Sequence, residues 1–238
     1  METSKQHVQL PNNMLQSDLT PKDQLIYLAI RRYMDKRTKI AYPSLEKIKE
    51  ICGASVNTIR KSVKALEEQN YFSIIKKGKR QEYHFNEHKA FEPFSYDFLD
   101  RQDLSFTEKS YLIASQEYMF KDVEGYGKIS YTNKELSDKI KMSEATISRT
   151  NSSLIRKNYL TIIKNECRDL ETGCKTDTKL FHLRDLDQAI IWTLKSHEDR
   201  INQNSEEIKT LKDTIAKQSE LIERLLKESK VISEYKID

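Results

Sequence analysis

Ala54-Ser-Val-Asn-Thr-Ile-Arg-Lys-Ser-Val-Lys-Ala-Leu-Glu-Glu-Gln-Asn-Tyr-Phe-Ser-Ile-Ile-Lys-Lys77 is the stretch that decides the fold, because the chain contains it twice. Met142 to Asn165 repeats it at an offset of 88 residues, with identities at Ser55/Ser143, Thr58/Thr146, Ile59/Ile147, Leu66/Leu154, Asn70/Asn158, Tyr71/Tyr159, Ile74/Ile162, Ile75/Ile163 and Lys76/Lys164. Matches this dense in so short a window mark a duplicated unit, and a duplicated unit tells where domains begin and what each must bury. Upstream, Leu19 to Met34 recurs in outline as Leu104 to Met119, at an offset of 85. The change in offset fits a longer connection in the second copy, Asp122 to Ser130, where Gly125 and Gly127 permit a turn.

Each copy reads as three helices followed by an antiparallel β ribbon. In the first, Thr20, Pro21 and Asp23 start a helix that carries Leu25, Leu28, Ala29 and Met34 on one face. Ser44 caps a second helix with Leu45, Ile48 and Ile51 inward, and Gly53 ends it. A few residues on, Ser55 caps a third helix with Ile59, Val63 and Leu66 inward. Tyr71 to Lys76 and Arg80 to Phe85 are the expected strands, joined by the basic turn Lys76 to Arg80. In the second copy Ser105 to Glu108 and Thr132 to Glu135 fit capping boxes, Leu136 and Ile140 face in, and Ser143 opens the last helix. Its strands are expected at Leu160 to Lys164 and Lys179 to Leu183, around a long polar loop from Asn165 to Thr178. The segment between the copies, Asn86 to Asp103, is unusually aromatic for a linker. Phe91, Phe94, Tyr96 and Phe98 are expected to pack the two domains against each other at a fixed separation.

Two helices joined by so short a turn, the later one offering polar residues outward, form a helix-turn-helix arrangement, and an α-helix fits the DNA major groove. With Ile59, Val63 and Leu66 turned inward, Asn57, Arg60, Lys61 and Lys64 must point away from the core. Arg can grip guanine O6 and N7 together and Asn can grip adenine N6 and N7, so Asn57 and Arg60 are the expected base readers. Ser55, Thr58, Lys61 and Lys64 on the helix, and Lys77, Lys79 and Arg80 on the wing, complete the expected contact set, largely to phosphates. The matching positions in the second copy are Ser143, Glu144, Ala145, Thr146, Ser148, Arg149 and Ser152. A blander reading stands beside this one, since any exposed helix face carries Lys, Arg and Asn to stay hydrated. Tyr71, Tyr83 and Phe85 are expected in the core rather than as base-stacking platforms.

The run from Ser55 to Tyr71, with Thr58-Ile59-Arg60 and then Leu66-Glu67, resembles the recognition helix of GntR-type winged helix-turn-helix proteins. It resembles more broadly the winged helix-turn-helix regulators and replication initiators of bacteria, plasmids and phages. The resemblance covers about residues 10–86, and the second copy departs from it at Ser148 for Arg60 and Asn151 for Val63. It implies a winged fold and double-stranded DNA as the partner.

From Leu194 onward, Leu194, Ile201, Ile208, Ile215 and Ile222 recur every seventh residue as a positions. His197, Asn204, Leu211, Gln218, Leu225 and Ile232 then fall at d. This is the pattern of a coiled coil between copies of the chain, with Leu194, Ile201, Ile208, Leu211, Ile215, Ile222 and Leu225 as the expected oligomerisation residues. A single amphipathic helix is the other reading. Ile at a with Leu at d, and Glu207 placed to pair with Lys212, favour a dimer, whereas Leu221 and Leu226 widen the stripe and leave a trimer or tetramer open. The expected fold is therefore mainly α with small β wings. It comprises tandem winged helix-turn-helix domains at 10–86 and 104–185, an aromatic connector at 87–103, and a coiled-coil helix at 187–235.

Composition narrows the function class. Only 5 Gly and 4 Pro in 238 residues favour long helices, and 33% charged residues suit two small cores beside a polar rod. Asp187 to Asp238 hold 9 Lys and Arg against 11 Asp and Glu, which leaves a net charge of +6 on residues 1–186. A modest basic excess in the body agrees with a polyanion partner without requiring one. Cys52, Cys167 and Cys174 form no metal-binding pattern, and Cys52 follows Ile48 and Ile51 in an apolar stripe as a small buried hydrophobe. His7, His84, His88, His182 and His197 are scattered, and no Gly-rich phosphate loop or nucleophile motif is present. No catalysis, cofactor or metal is expected. The opening METSKQHVQL lacks a signal-peptide core, so a soluble cytoplasmic protein of a bacterium, or of one bearing a plasmid or phage, is expected. Two roles follow for a sequence-specific DNA binder: a transcriptional regulator acting as an oligomer on operator DNA, or a plasmid or phage replication initiator on origin repeats. Either would meet transcription or replication machinery. A partner-recruiting protein that works through the rod is the third reading.

Overall fold

Apart from two four-residue helices, the helices of the body start where a Ser or Thr side chain can satisfy their free N–H groups. In the computed structural model of the chain, which describes residues 6–78, 80–122, 125–168 and 175–234, the first copy runs β1 (His7–Pro11), α1 (Asn12–Leu15), α2 (Pro21–Arg31), β2 (Ile40–Ala41), α3 (Leu45–Cys52), α4 (Val56–Glu68), β3 (Phe72–Lys77) and β4 (Arg80–Phe85). The second runs β5 (Phe91–Ser95), α5 (Tyr96–Asp100), α6 (Phe106–Ser115), a 3-10 turn (Gln116–Tyr118), β6 (Phe120–Lys121), β7 (Tyr126–Ile129), α7 (Asn133–Ile140), α8 (Glu144–Arg156), β8 (Leu160–Arg168), β9 (Lys175–His182) and α9 (Leu183–Leu186). One long helix, α10 (Gln188–Glu234), follows. The chain divides into two compact units, Met1–Thr193 and Leu194–Asp238.

The caps repeat from copy to copy. Ser55 Oγ accepts from Thr58 N at 3.2 Å and Ser143 Oγ accepts from Thr146 N at 3.3 Å, opening α4 and α8. The turn before each of these helices needs a left-handed residue, filled by Gly53 (φ 74°) in the first copy and Lys141 (φ 54°) in the second. Lys carries a steric cost there that Gly avoids. Both helices end on a left-handed Asn, Asn70 (φ 58°) and Asn158 (φ 59°), with Tyr71 N donating to Leu66 O and Tyr159 N to Leu154 O. Asn tolerates this conformation better than other non-glycine residues, which accounts for the shared Asn-Tyr after each helix.

Helix α2 departs from the one-sided pattern read in the sequence: every residue from Asp23 to Ile30 is buried. So is every residue from Glu108 to Ser115 in α6. The reason is that α2 and α6 pack on each other as well as on their own copies. The segment expected as a connector is itself structured. β5 pairs antiparallel with β1, with Gln9 opposite Pro93 at the centre, and Phe94 and Phe98 are 1% and 2% exposed. Ser95 Oγ caps α5 by accepting from Phe98 N at 3.0 Å. Leu10 and Met14 in β1–α1 have the same spacing as Phe94 and Phe98 in β5–α5, so the duplication begins before the segments that share sequence. Tyr71, Tyr83 and Phe85 are buried, Tyr27 meets Tyr71 and Phe85 edge to face, and Cys52 is buried.

The second hairpin also differs from expectation. β8 and β9 extend well into what reads as a polar loop, out to the pairs Cys167/Thr176 and Arg168/Lys175, with a register irregularity between Ile163 and Cys167. A two-stranded ribbon closes its ladder through backbone groups and needs no continuous apolar pattern, so composition alone misreads it as a loop. Between α6 and α7 the chain adds β6 to β7, the counterpart of β2, so the sheet order is β6-β7-β9-β8 where the first copy has β2-β4-β3. Gly125 (φ 100°) makes the β6–β7 turn, whereas Gly127 lies in β7, where a Cβ would overlap the Met119 side chain.

A polar clasp fixes the start of the second copy to the end of α8. Arg101 donates to both carboxylate oxygens of Asp103, at 3.0 and 3.1 Å, and also to Tyr159 Oη and Asp185 O. Tyr159 Oη donates to Asp103 at 2.7 Å. These hydrogen bonds, Arg101 foremost, hold the Asp103 carboxyl down at about 2. Beside it, Lys157 Nζ donates to both oxygens of buried Glu108, at 2.8 and 2.7 Å. Burial works to raise that carboxyl and the bonds from Lys157 and Ser105 outweigh it.

In α10, Ile201, Ile208, Leu211, Ile215, Leu221, Ile222 and Leu225 are all more than half exposed. The Leu194 side chain lies outside the described residues, as does Lys79.

Candidate nucleic-acid interface

α4 turns Ile59, Ser62, Val63 and Leu66 into the core, which leaves Asn57, Arg60, Lys61 and Lys64 exposed on its outer side. Asn57, Arg60 and Lys61 have no side-chain partner among the described residues. Lys64 Nζ lies 3.5 Å from Glu68 one turn on. Ser55 Oγ is engaged as the cap and contacts Thr58 Oγ1 at 2.9 Å, so neither hydroxyl is idle. On the hairpin, Lys77 is paired with Glu82 at 3.0 Å, a hydrogen bond that pulls the Glu82 carboxyl below its ordinary value. Arg80 is exposed and unpaired among the described residues.

Between α4 and the hairpin runs an open groove lined by Leu45, Arg60, Val63, Lys64, Glu67, Ile74, Lys76 and Gln81. Lys76 and Gln81 are opposite each other in the ladder and share this groove with Arg60. Sequence reasoning counts Lys76 only as part of the basic turn and passes over Gln81. The available signal is the repeat, since Lys76 is one of the residues that recur, as Lys164.

The second copy builds a groove at the same place, and its lining matches position by position at the offset of 88: Asn133 for Leu45, Ser148 for Arg60, Asn151 for Val63, Ser152 for Lys64, Ile155 for Glu67, Ile162 for Ile74 and Lys164 for Lys76. Glu144 and Thr132 also line it, and Ser143 and Thr146 form the cap beside it. The cations here are occupied. Lys164 pairs with Asp177 at 2.9 Å, Arg149 Nε donates back to Ala145 O at 3.1 Å, and Lys179 Nζ donates to Tyr131 O. Burial pushes the Lys179 ammonium below its usual pKa. Ser152 Oγ donates to Ser148 O at 3.0 Å, and buried Asn151 donates to Asn133 Oδ1 at 3.2 Å. The two grooves therefore share a shape and differ in charge: the first offers free cations, the second hydroxyls, amides and Glu144.

Residues 17–71 match the family model of a helix-turn-helix domain. The match runs from the turn ahead of α2 to the residue before β3, so it takes in α2, α3 and α4 and leaves the hairpin outside. The first copy carries a helix-turn-helix domain. No curated protein matches the chain. Within this helix-turn-helix domain α3 and α4 are the two helices joined by the short Gly53–Ser55 turn, and α4 is the one whose outer face is polar and open. Among the described residues no helix is long and apolar enough to cross a membrane.

Proposed function

We propose that the chain is a sequence-specific double-stranded DNA-binding protein, a transcriptional regulator that acts as an oligomer on operator DNA, with both copies serving as winged helix-turn-helix units. The observation that carries this reading is the outer face of α4 in the helix-turn-helix domain. There Asn57, Arg60 and Lys61 stand exposed and unpartnered, beside a hairpin that presents Lys76 and Arg80. Donors left free in this way can be spent on base edges and phosphates without first breaking internal bonds.

Oligomerisation is assigned to α10. Its exposed Ile and Leu side chains fall on the heptad seam, and such a stripe in water is covered by an equivalent helix from a second copy, in a parallel dimer. Tethering two bodies makes the second DNA contact intramolecular and raises affinity with no new contact.

The test is selection of bound fragments from the source genome with the full-length protein, followed by footprinting. Recovery of promoter-proximal sites protected over two adjacent major-groove segments is the expected result. An array of direct repeats beside an origin would assign the protein to replication initiation instead, and no retained duplex at low salt would overturn the DNA reading.

A further inference from the structure

The strand pairing and one polar contact between the two copies come in exchanged pairs, while others, such as Lys109 Nζ to Ile51 O, are made once. Tyr96 N donates to Gln6 O at 3.2 Å and Asn12 N donates to Ala90 O at 3.1 Å. Tyr96 is 84 residues after Asn12, and Ala90 is 84 residues after Gln6, so this is one hydrogen bond made twice with the roles of the copies swapped. The β1–β5 ladder is centred on Gln9 and Pro93, again 84 apart. Gln16 Nε2 donates to Glu117 Oε1 at 3.1 Å, and the exchanged positions, at offsets of 84 and 85, hold Asp100 and Arg32, which form a bidentate ion pair. At the helix-turn-helix turns the exchange is not kept: Lys141 Nζ reaches Ser17 O and Asp18 at 2.8 and 2.9 Å, and its counterpart Gly53 has no side chain to make the exchanged contact.

Contacts that recur with the roles of the copies exchanged are the mark of an isologous interface, which a two-fold rotation generates and head-to-tail stacking of repeats does not. The exchanged contacts thus relate the two copies by a local two-fold that passes through the middle of the β1–β5 pair. The same rotation carries α4 onto α8. Two-fold mates that enter one duplex require half-sites in opposite orientation, because the protein axis must coincide with a dyad of the DNA. The reading faces are not equal, however: Arg60 and Lys64 in α4 are Ser148 and Ser152 in α8.

We infer that a single chain engages one duplex as an internal dimer, with α4 and α8 entering two half-sites that differ in sequence and run in opposite orientations. This rests on the reading of both helices as groove readers. The resulting site looks asymmetric to a sequence search although the protein frame that reads it has a two-fold.

The test uses the full-length protein on the shortest selected duplex that retains affinity and holds one chain. Arg60→Ala and Ser148→Ala, each taken through selection from random duplexes, mark the base positions that α4 and α8 read. A hydroxyl-radical cleavage reagent is then tethered at Glu68→Cys in one preparation and at Arg156→Cys in another. These residues are exposed, 88 apart, at the C-terminal ends of the two helices, and the unsubstituted protein treated identically is the control. Cuts that fall both on the inner flanks, or both on the outer flanks, of the two marked positions are expected. One inner and one outer cut would mean tandem order and would overturn the inference while leaving the DNA reading intact. Loss of information at a single half only, with diffuse cleavage from Arg156→Cys, would show that α8 does not dock, and would likewise overturn the inference alone. Failure to retain any duplex would overturn both.

Discussion

Arg60 illustrates what one side chain contributes. It is exposed, has no partner among the described residues and shares a groove with Lys76 and Gln81. Arg60→Ala is expected to weaken binding to the cognate duplex by about 1–3 kcal/mol and to relax preference at one base pair. Arg80→Ala, on the hairpin, should lower affinity for cognate and random duplexes alike. Titration of both variants against both DNAs reads the difference, and equal losses for Arg60→Ala would remove its assigned role. Asp103 gives a pH-dependent case. Its carboxyl is held at about 2, below the ordinary value near 4, so the clasp with Arg101 and Tyr159 is fully formed above pH 4 and is lost as pH falls toward 2. Because the side chain is about half exposed, Asp103→Asn should cost only about 1 kcal/mol at pH 7 after solvent screening. Acid titration of unfolding should show a flatter profile between pH 4 and 2 for the variant. The exposed face of α4 is legible in the sequence, because Ile59, Val63 and Leu66 fix what points inward. Lys76 and Gln81 are not, since they join the groove only through the register of a hairpin with its helix.

Among the elements, the caps and the short turns are the easiest to read, because each rests on a local bond between residues three apart. The second hairpin is harder: pairing between β8 and β9 is a backbone property that its polar residues do not announce. Gly127 reads as a turn residue in the sequence and is instead a packing residue in β7. Gly127→Ala should therefore destabilise the body by about 1–3 kcal/mol through overlap with Met119. Thermal unfolding checks this, and an unchanged midpoint would contradict the packing role. In α10, a single charge on the heptad seam tests the proposed association. Ile208→Asp is expected to shift the protein from oligomer to monomer in sedimentation equilibrium while the melting of the body is preserved. Retention of the oligomer would reject the coiled-coil assignment.

For the whole molecule, the repeat announces two copies and the aromatic connector a packed join, with Phe94 and Phe98 buried as expected and Phe91 exposed instead, but the strand pairing that makes the join stays hidden. Leu10, Met14 and Leu15 match Phe94, Phe98 and Leu99 in position, yet only one of the three is the same residue type. A strand pair that bridges more than eighty residues leaves no periodicity to find. The charge contrast between the grooves also belongs to this scale. With the unpaired cations among the described residues concentrated on the first copy, salt dependence should follow that copy. Arg80→Ala is expected to reduce the slope of log affinity against log salt by about 0.9, the counterion share of one phosphate contact, and Arg149→Ala by much less.

The pairing of β1 with β5 also bears on how the protein is made. When synthesis has passed Phe85, the entire region of the helix-turn-helix match has left the ribosome, but β1 has no strand beside it and α2 has no α6 against it. The first half must wait, with apolar surface open, until roughly thirty more residues emerge. Nascent chains arrested with residue 90 outside the exit tunnel should be cut readily by protease, and chains arrested with residue 120 outside should resist it.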